Sequence, residues 1–479
     1  MTFTEMLNIQ AENEVKSQRY KDYFRVKQTI RNTSAVAPPL FNKLYFTAIS
    51  YCRLGCQVIN ERIDMDSWFT VDKDDKSDKF LADTFKVNAG ADLVASAHLS
   101  AMEFGRSYIV PTGSDREDGI PMLDVVPGRD MVHRIDAFTG EIIEALQVFG
   151  ELRDRYSYWT PGSQSILIKK QTNEFNATVI MPEDGFEESK TYAGFWEKVL
   201  PSTGKIPVFP LICRGEPGNT FGRPEAKDVF SIQDAACRYA TDMSIASALL
   251  GVPKEFLVGS EISDFAEKDA EGNPIPGTEP SNEDMYMARI LTLSNPDAKL
   301  ISTQTAQLQN FATALNASTR QASATMGVPI STFGVASDAN PASGDSKVED
   351  DKRLVRRSEQ LTRGFEPAWS NLGEYLLVQY EFGTHEVGIR WTDPSLPNLA
   401  GRADAVQKLS SIQTNGQPLY TWQELRRKLG DSDAEIKAAE EARELQSVQD
   451  LLNQPETTQP NQSQTQGVPN EQGTGTQSG

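Results

Sequence analysis

The fold is organised around the stretch RPEAKDVFSIQDAACRYATDMSIASALLGVP, residues Arg223–Pro253. Pro224 near the first helical position and Glu225 in the first turn predict a helix that runs to Leu250 and ends at the Gly-Val-Pro sequence. A second helix, also followed by Gly-Val-Pro, is predicted over 305–326, and the chain between the two is turn-rich and mostly acidic. Two long helices with an acidic insertion between them suit a ring of subunits around a hole better than one globular core.

Both helices carry small and polar side chains outside their apolar stripes. Ala235, Ser244 and Ser247 do so in the first helix, and Asn, Ser, Thr and Gln surround Leu308 and Phe311 in the second. A helix of about 25 residues is close to 40 Å long at 1.5 Å per residue. Such helices can pack against several neighbours without exposing an apolar stripe, which favours the wall of a tube.

A loop of small residues is predicted over 328–344, after the second helix. Its tip consists of Ser337, Asp338, Ala339, Asn340, Pro341, Ala342 and Ser343. The loop contains no lysine or arginine, so any contact with a polyanion would use shape, hydroxyl groups and Asn340 rather than ion pairs. That composition favours a sliding or sealing role over a gripping one.

A third, very long helix is predicted to begin near Asp345. Its apolar positions recur at helical spacing from Leu354 to Leu376. Gly364 and Pro367 interrupt the hydrogen-bond ladder, which predicts a kink near Phe365.

The flanking regions complete an α+β fold. The chain is predicted to be mainly helical up to about residue 106 and then to form an antiparallel sheet over 107–212. A short strand over 386–391 follows the long helix, and three small helices come next, one of them opened by Thr421 and Glu424 as a capping box. The tail over 453–479 is rich in Gln, Thr, Asn, Gly and Pro and is expected to be disordered.

Composition limits the possible partners and compartments. The 479 residues include 67 acidic and 47 basic side chains, a formal net charge of −20. Because duplex DNA carries about one negative charge per 1.7 Å, so acidic a chain is not expected to hold DNA tightly over a wide face. We expect no secretory signal and no membrane span. Four cysteines in so long a chain argue against a disulfide framework and favour a reduced, intracellular protein.

Signatures of catalysis and of metal or cofactor binding are scarce. The glycines of 215–222 have faintly the spacing of a phosphate-binding loop but lack its Lys-Ser/Thr, so a turn into a helix is the prediction. The run 72–78 resembles a calcium loop for three residues only, and a solvated turn is favoured. His98, His133 and His385 are scattered along the sequence. We therefore predict no catalytic residues, no metal and no cofactor.

The insertion between the two helices contains a group of carboxylates. Its members are Glu255, Glu261, Asp264, Glu267, Asp269 and Glu271. In an isolated subunit they would be an ordinary solvated loop. Repeated around a ring axis at one end of the helical pair, they would form a negatively charged collar.

In the order of these elements the chain resembles the portal proteins of tailed double-stranded DNA bacteriophages, of the siphophage type. The resemblance extends over residues ~20 to ~452. The passages that carry it are PVFPLICRGEPGNTFGRPEAKDVFSIQDAACRYATDMSIASALLGVPKEFLVG (Pro207–Gly259), TLSNPDAKLIS (Thr292–Ser302) and ASGDSKVEDDKRLVRRSEQLTRGFEPAW (Ala342–Trp369).

The resemblance implies a portal fold with a helical and β-rich wing, a two-helix stem, an α/β clip, a long kinked helix and a helical crown. The implied segments are the wing (1–222), stem helices (223–251 and 303–327), clip (252–302), tunnel loop (328–344), long helix with a returning wing strand (345–397), crown (398–452) and tail (453–479). The acidic residues named above would then belong to the clip, which contacts head-to-tail adaptors.

The resemblance also implies a non-enzymatic ring of twelve subunits at one capsid vertex. Double-stranded DNA would enter and leave through the ring without tight binding. Implied partners are terminase, the head-tail adaptor, and the major capsid and scaffold proteins; assembly would take place in the cytoplasm of the host bacterium. One alternative is another head-tail connector ring protein, against which the length and the β-rich wing argue. A metal-dependent carboxylate enzyme is a further alternative, disfavoured by the scattered histidines.

Overall fold

The computed structural model divides the chain into two compact units, Met1–Ser395 and Leu396–Gly479. The structure describes residues 3–28, 45–112, 119–161, 163–169, 186–188, 205–250, 255–258, 267, 269–271, 273, 275, 277–278, 290–293, 299–302, 308–334, 344–395, 399–414, 417–431 and 435–443. Helices and strands are both abundant, as the α+β prediction requires.

Among the described residues, four helices open the first unit. They are α1 (Phe3–Phe24), α2 (Tyr51–Asn60), α3 (Asp75–Val87) and α4 (Gly90–Phe104). The run 72–78 provides the start of α3, because the Asp74 carboxylate accepts the Ser77 backbone N–H at 3.0 Å and so acts as an N-cap. The run therefore begins a helix, whereas the sequence predicted a solvated turn.

The prediction of a mainly helical N-terminal region missed one strand. The strand β1 (Met65–Thr70) lies between α2 and α3, and it pairs with a strand that follows the long helix near residue 379. That partner, Val387–Trp391, lies where the predicted strand over 386–391 was expected and runs antiparallel to β1.

Two antiparallel sheets occupy the region where one was predicted. The first contains β2 (Arg106–Thr112), β3 (Met122–Pro127) and β9 (Phe209–Ile212), in the order β3-β2-β9. The second is a meander of β4 (Met131–Ile135), β5 (Ile142–Phe149), β6 (Arg155–Thr160), β7 (Ser163–Lys169) and β8 (Phe186–Glu188). The turn-rich sequence could show that strands were present, but not how they divide between sheets.

The two long helices of the middle region are α5 (Phe230–Leu250) and α6 (Leu308–Met326). The first starts later than predicted, because a 3-10 turn over Lys227–Val229 precedes it and the residues before that turn belong to the core. Between the helices lie β10 (Glu255–Val258), β11 (Ile290–Leu293) and β12 (Lys299–Ser302). The strand β10 is central, parallel to β11 and antiparallel to β12.

The third long helix, α7 (Gly344–Gln379), remains one α-helix across Pro367. The strand that follows it is β13 (Val387–Trp391). Gly364 and Pro367 lie on the exposed side of α7, and the kink that they predict remains a prediction.

The main core of the first unit forms between α2, α4 and α7. Trp369 and Phe365 are completely buried there. The Trp369 indole donates to His98 Nε2 at 3.0 Å, and the His98 ring stacks on Phe365 at 4.7 Å. The Trp68 indole in turn donates to the Trp369 carbonyl at 3.0 Å. Burial lowers the pKa of His98 to about 3, so this histidine is a neutral core residue.

The second unit contains α8 (Leu399–Ser410), a small hairpin of β14 (Gln413–Thr414) and β15 (Gln417–Pro418), α9 (Trp422–Leu429) and a helix over 435–443. The predicted capping box at Thr421 and Glu424 is present, and Gly430 closes α9 with φ at 110°. The predicted disordered tail lies outside the described residues. In the part of the chain that the structure describes, none of the helices is long and apolar enough to cross a bilayer.

Candidate functional site: the paired helices and their base

The helices α5 and α6 pack against each other, and they run antiparallel because Gln233 near the start of α5 and Met326 at the end of α6 both contact α2. The first ends at Leu250, five residues before β10 begins, and the second begins six residues after β12 ends at Ser302. The three-stranded sheet therefore lies at one end of the pair by chain connection. The opposite end, where α5 begins and α6 finishes, is embedded in the core of the first unit. We call this embedded end the base.

At the base, α2 joins the two helices of the pair. The Cys52 backbone N–H donates to Gln233 Oε1 of α5 at 3.0 Å, while the Tyr51 hydroxyl and the Thr319 hydroxyl of α6 lie 2.6 Å apart. Gly55 permits the close approach of α6, since a Cβ there would lie 2.2 Å from Met326 Sδ. The three helices are thus held by both polar and apolar contacts.

A buried ion cluster around Glu225 connects the base to α7. The Glu225 side chain is 0% exposed and lies 2.7 Å from Arg214 Nε, and Arg357 of α7 pairs with its other carboxylate oxygen. The Glu225 backbone N–H donates to the Met102 carbonyl of α4 at 3.0 Å. Segments before α5, in α4 and in α7 therefore meet at one residue, Glu225, the first and third at its carboxylate and α4 at its backbone N–H.

Burial and charge act in opposite directions on this carboxylate. Burial raises the pKa of Glu225, and the Arg214 guanidinium opposes that shift. The Cys213 thiol, which donates to Glu225 Oε2 at 3.7 Å, has its pKa raised well above the ordinary range by burial. A buried carboxylate of this kind depends on its guanidinium partners, because a lone buried charge is strongly destabilising.

The sequence placed Glu225 in the first turn of the helix, and this was wrong: Glu225 lies buried before the helix begins. The 132 residues that separate Glu225 from Arg357 hide the pairing from any local pattern. The one available signal was the density of arginine near Glu225, at Arg214 and Arg223.

The exposed face of α6 is almost free of charge. Its exposed residues recur at helical spacing and are Gln309, Asn310, Thr313, Asn316, Ala317, Arg320, Gln321 and Ala324. Arg320 is the only charged residue in the sequence of α6, which has no carboxylate. In a chain with a formal net charge of −20, this face is unusual for its neutrality.

The predicted loop tip, Ser337, Asp338, Ala339, Asn340, Pro341, Ala342 and Ser343, lies outside the described residues. Its preceding segment is well anchored. The Phe333 ring meets Tyr51 edge-on at 5.4 Å, and the Ser323 hydroxyl donates to the Val328 carbonyl at 2.6 Å. Gly327 turns the chain out of α6 with φ at 70°. The loop therefore starts from a fixed point on the base.

Four of the six predicted collar carboxylates lie within the described residues. Glu255 begins β10, and Glu267, Asp269 and Glu271 are exposed. Asp269 organises a local turn, since its Oδ1 accepts the backbone N–H of Glu271 at 3.0 Å and of Asn273 at 2.8 Å. Glu261 and Asp264 lie outside the described residues, so the collar remains a prediction.

Three histidines occupy three separate places. His98 is in the core, the Tyr108 hydroxyl lies 2.8 Å from His133 Nδ1 inside the β region, and His385 pairs with Asp72 at 2.7 Å. Burial lowers the pKa of His133 to about 3. Among the described residues, no group of three or more His, Cys, Asp or Glu is placed to hold a metal ion. The four cysteines are buried free thiols, and the glycines of 215–222 form a turn that leads toward α5.

Comparison with known proteins shows which family has this architecture. The family model described as "Phage portal protein, SPP1 Gp6-like" matches residues 67–447. The chain belongs to this family. It therefore functions as a phage portal protein, a structural component of the phage particle, and the resemblance inferred from the sequence is confirmed.

Two relatives agree with this family. The portal protein of Mycobacterium phage D29 is 27% identical over 416 residues, which cover 84% of this chain and 79% of the relative. The portal protein of Mycobacterium phage L5 is 26% identical over 414 residues, covering 82% and 78%. A solved structure titled "Neck of native GTA particle computed with C12 symmetry" is 13% identical with a TM-score of 0.44, covering 79% of this chain and 88% of that one. At that level the structural likeness adds nothing to the family assignment.

Proposed function

We propose that twelve copies of this portal protein form a ring at one capsid vertex, through which double-stranded DNA is packaged and ejected. The observation that carries the proposal is the neutral exposed face of α6, which in our account lines the channel. A wall of amides, hydroxyls and methyl groups offers a moving duplex few ion pairs to break. Family membership supports the ring, since a portal has to surround the DNA that passes through it.

The base explains how such a wall could withstand the passage of DNA. The buried ion cluster at Glu225 and the α2 contacts join α5 and α6 to the long helix α7. Force applied to the helical pair would thus be transmitted into the core of the first unit. The opposite end of the pair carries the three-stranded sheet.

We propose that this sheet and its acidic insertion form the clip, which docks terminase during packaging and the head-tail adaptor afterwards. Exposed Glu267, Asp269 and Glu271 support a surface that is open to partners. ATP hydrolysis would belong to the terminase, and this chain would act without catalysis or cofactor. Contacts with the major capsid and scaffold proteins would place the ring in the virion after assembly in the bacterial cytoplasm.

The segment 328–344 would be the tunnel loop. Its anchored beginning and its lack of lysine and arginine support a loop that slides along the duplex or seals the channel. Grip on phosphates would have to come from another part of the chain.

Native mass spectrometry with negative-stain imaging of the purified chain, alone and co-expressed with its scaffold protein, tests the proposal. We expect a ring of twelve subunits with a central hole in at least one of the two samples. A chain that stays monomeric in both would contradict the ring. A closed ring without a hole wide enough for duplex DNA would contradict the conduit.

A further inference from the structure

One side chain in the turn after α2 joins two distant segments of the first unit. Nη2 of Arg62 donates to Asp351 Oδ2, near the start of α7, at 3.2 Å. Nη1 of the same guanidinium donates to the Pro394 carbonyl, beyond the end of β13, at 3.1 Å. The start of α7 and the last residues of the first unit are therefore held by one planar group.

Arg62 is itself attached to the core. The neighbouring Ile63 is 2% exposed, and the Asp64 carbonyl accepts the Thr392 backbone N–H at 2.9 Å. The side chains of Arg62 and Asp351 are only 14% and 26% exposed. Because solvent screens a partly buried pair less than an exposed one, this ion pair holds its two segments more firmly than a surface pair would.

The same part of α7 also contacts the end of α6. A Cβ added to Gly327 would lie 3.2 Å from Arg353 Cγ, so the Arg353 side chain packs against the turn that leaves α6. Leu354, the next residue of α7, is buried. The chain is thus fixed on both sides of the segment 328–344, and Asp351 lies about two helical turns after that segment.

We propose that Arg62 is a clamp that couples the start of α7 to residues 392–395, which lead into the second unit. The proposal rests on the proposed function of 328–344 as the tunnel loop. Displacement of that loop by DNA would move the first turns of α7, and the shared guanidinium would pass the movement to Pro394. An arginine suits this task because its rigid fork presents several donors in fixed geometry, whereas a lysine offers one flexible point charge.

Hydrogen exchange of the purified full chain, read by mass spectrometry, tests the coupling because it reports the opening of each segment separately. The decisive variant is Asp351→Asn, which removes the ion pair and does not alter Pro394. We expect the backbone N–H groups of both 348–356 and 392–395 to exchange about tenfold faster, as loss of one charge-assisted hydrogen bond implies. Faster exchange in 348–356 alone would overturn the clamp, since the two contacts would then be independent.

Two substitutions of Arg62 test the role of the guanidinium. Arg62→Gln removes the charge and should speed exchange in both segments at least as much as Asp351→Asn does. Arg62→Lys keeps the charge but should protect at most one of the two segments, because a single nitrogen replaces the fork. Full protection of both segments in Arg62→Lys, or of either segment in Arg62→Gln, would overturn the proposal.

The matched control is Arg134→Gln. It breaks the Arg134–Glu144 pair between β4 and β5, which spans 3.0 Å with side chains 35% and 10% exposed. Exchange in 348–356 and 392–395 should stay unchanged in this variant. Equal acceleration there would overturn the clamp in favour of a general loosening of the unit.

The clamp and the proposed conduit can fail separately. Exchange is measured on the subunit whether or not a ring assembles, so a monomeric wild-type chain would contradict the ring and leave the coupling measurable. In assembled rings, Asp351→Asn should change DNA packaging as much as Arg62→Gln, because both variants break the same path. Packaging that neither variant changes would overturn the role of the clamp in transport, even with coupled exchange.

Discussion

The two ends of the α5–α6 pair differ in how their side chains are used. At the base, polar side chains meet specific partners, as in the Tyr51–Thr319 contact and the Glu225 ion cluster. Along the exposed face of α6, amides, hydroxyls and methyl groups face outward. The base is held by specific buried partners, whereas the exposed face, in the proposed function, contributes through its lack of charge. Substitutions should therefore affect stability at the base and transport at the exposed face.

The largest effect on stability is expected from Glu225→Ala. It leaves Arg214 and Arg357 without their shared carboxylate in a site that is mostly closed to water. Breaking a buried ion pair from one side costs about 3–5 kcal/mol in the free energy of unfolding. Chemical denaturation measures this loss in the free energy of unfolding. The control is Glu359→Ala, which breaks the exposed Arg363–Glu359 pair of α7 and should change stability by less than about 1 kcal/mol. Equal effects in the two variants would show that the cluster does not hold the base.

The next effect is expected at Gly222, in the turn that leads to α5. Gly222 has φ at 66°, and a Cβ there would lie 2.4 Å from the Gly105 carbonyl oxygen. Gly222→Ala should reduce the free energy of unfolding by about 2–4 kcal/mol, combining backbone strain with overpacking. Gly218 also has a positive φ, 79°, but has nothing within 4 Å of its Cβ position. Gly218→Ala should show the strain alone, about 1–2 kcal/mol, and an equally large loss there would refute the close-approach argument.

The pH dependence of stability contrasts the fully buried His98 with the partly exposed His385. Because the pKa of His98 is lowered to about 3, its unfolded state binds the proton first as pH falls below about 6.5, and stability is lost toward pH 3. At pH 5 this loss amounts to about 2 kcal/mol. His98→Gln, which can still accept from the Trp369 indole, should remove that part of the acid sensitivity. Denaturation of the wild-type protein and of His98→Gln at pH 7 and pH 5 measures the difference. An equal loss of stability between the two pH values in both proteins would contradict a neutral buried His98.

His385 should behave in the opposite way. The hydrogen bond to Asp72 raises the pKa of His385, so its stabilisation is complete below the unfolded pKa and is lost as pH rises through the folded one. NMR titration should find its pKa above the ordinary value and find that Asp72→Asn removes the shift. A pKa for His385 at or below the ordinary value would contradict the contact.

The smallest effect on stability is expected on the exposed face of α6. Asn316→Arg and Gln321→Arg change exposed side chains and should alter the free energy of unfolding by less than about 0.5 kcal/mol. If that face lines the channel, the double variant should nevertheless slow DNA packaging, because each subunit adds two cations along the path. Asn316→Gln with Gln321→Asn is the neutral control. Unchanged packaging by the arginine variant would contradict the proposal that α6 lines the channel.

Local sequence patterns predicted most elements of the fold. The long helices follow from their periodicity and from their Gly-Val-Pro stops, and α9 follows from Thr421, Glu424 and Gly430, whose roles depend only on near neighbours. The strand β1 was missed because its six residues stand between helices and its pairing partner Val387–Trp391 lies some 300 residues further on. Non-local pairing of this kind leaves no periodic signal.

The candidate site also has one feature that the sequence predicts and one that it does not. The neutrality of α6 can be read directly from its sequence, because exposure follows from its helical spacing. The buried Glu225 cluster could not be predicted, because it needs Arg214, Arg357 and the β9 turn to converge on one carboxylate.

The central claim is that α6 lines a DNA channel while the base fastens it to the body of the subunit. Electron cryomicroscopy of the assembled ring tests this most directly. The account predicts that the face of Gln309, Thr313, Asn316 and Arg320 borders the central hole, with Glu225 buried between Arg214 and Arg357 in every subunit. A ring whose hole is bordered by other elements, with this face of α6 packed against a neighbour or turned to the outside, would contradict it.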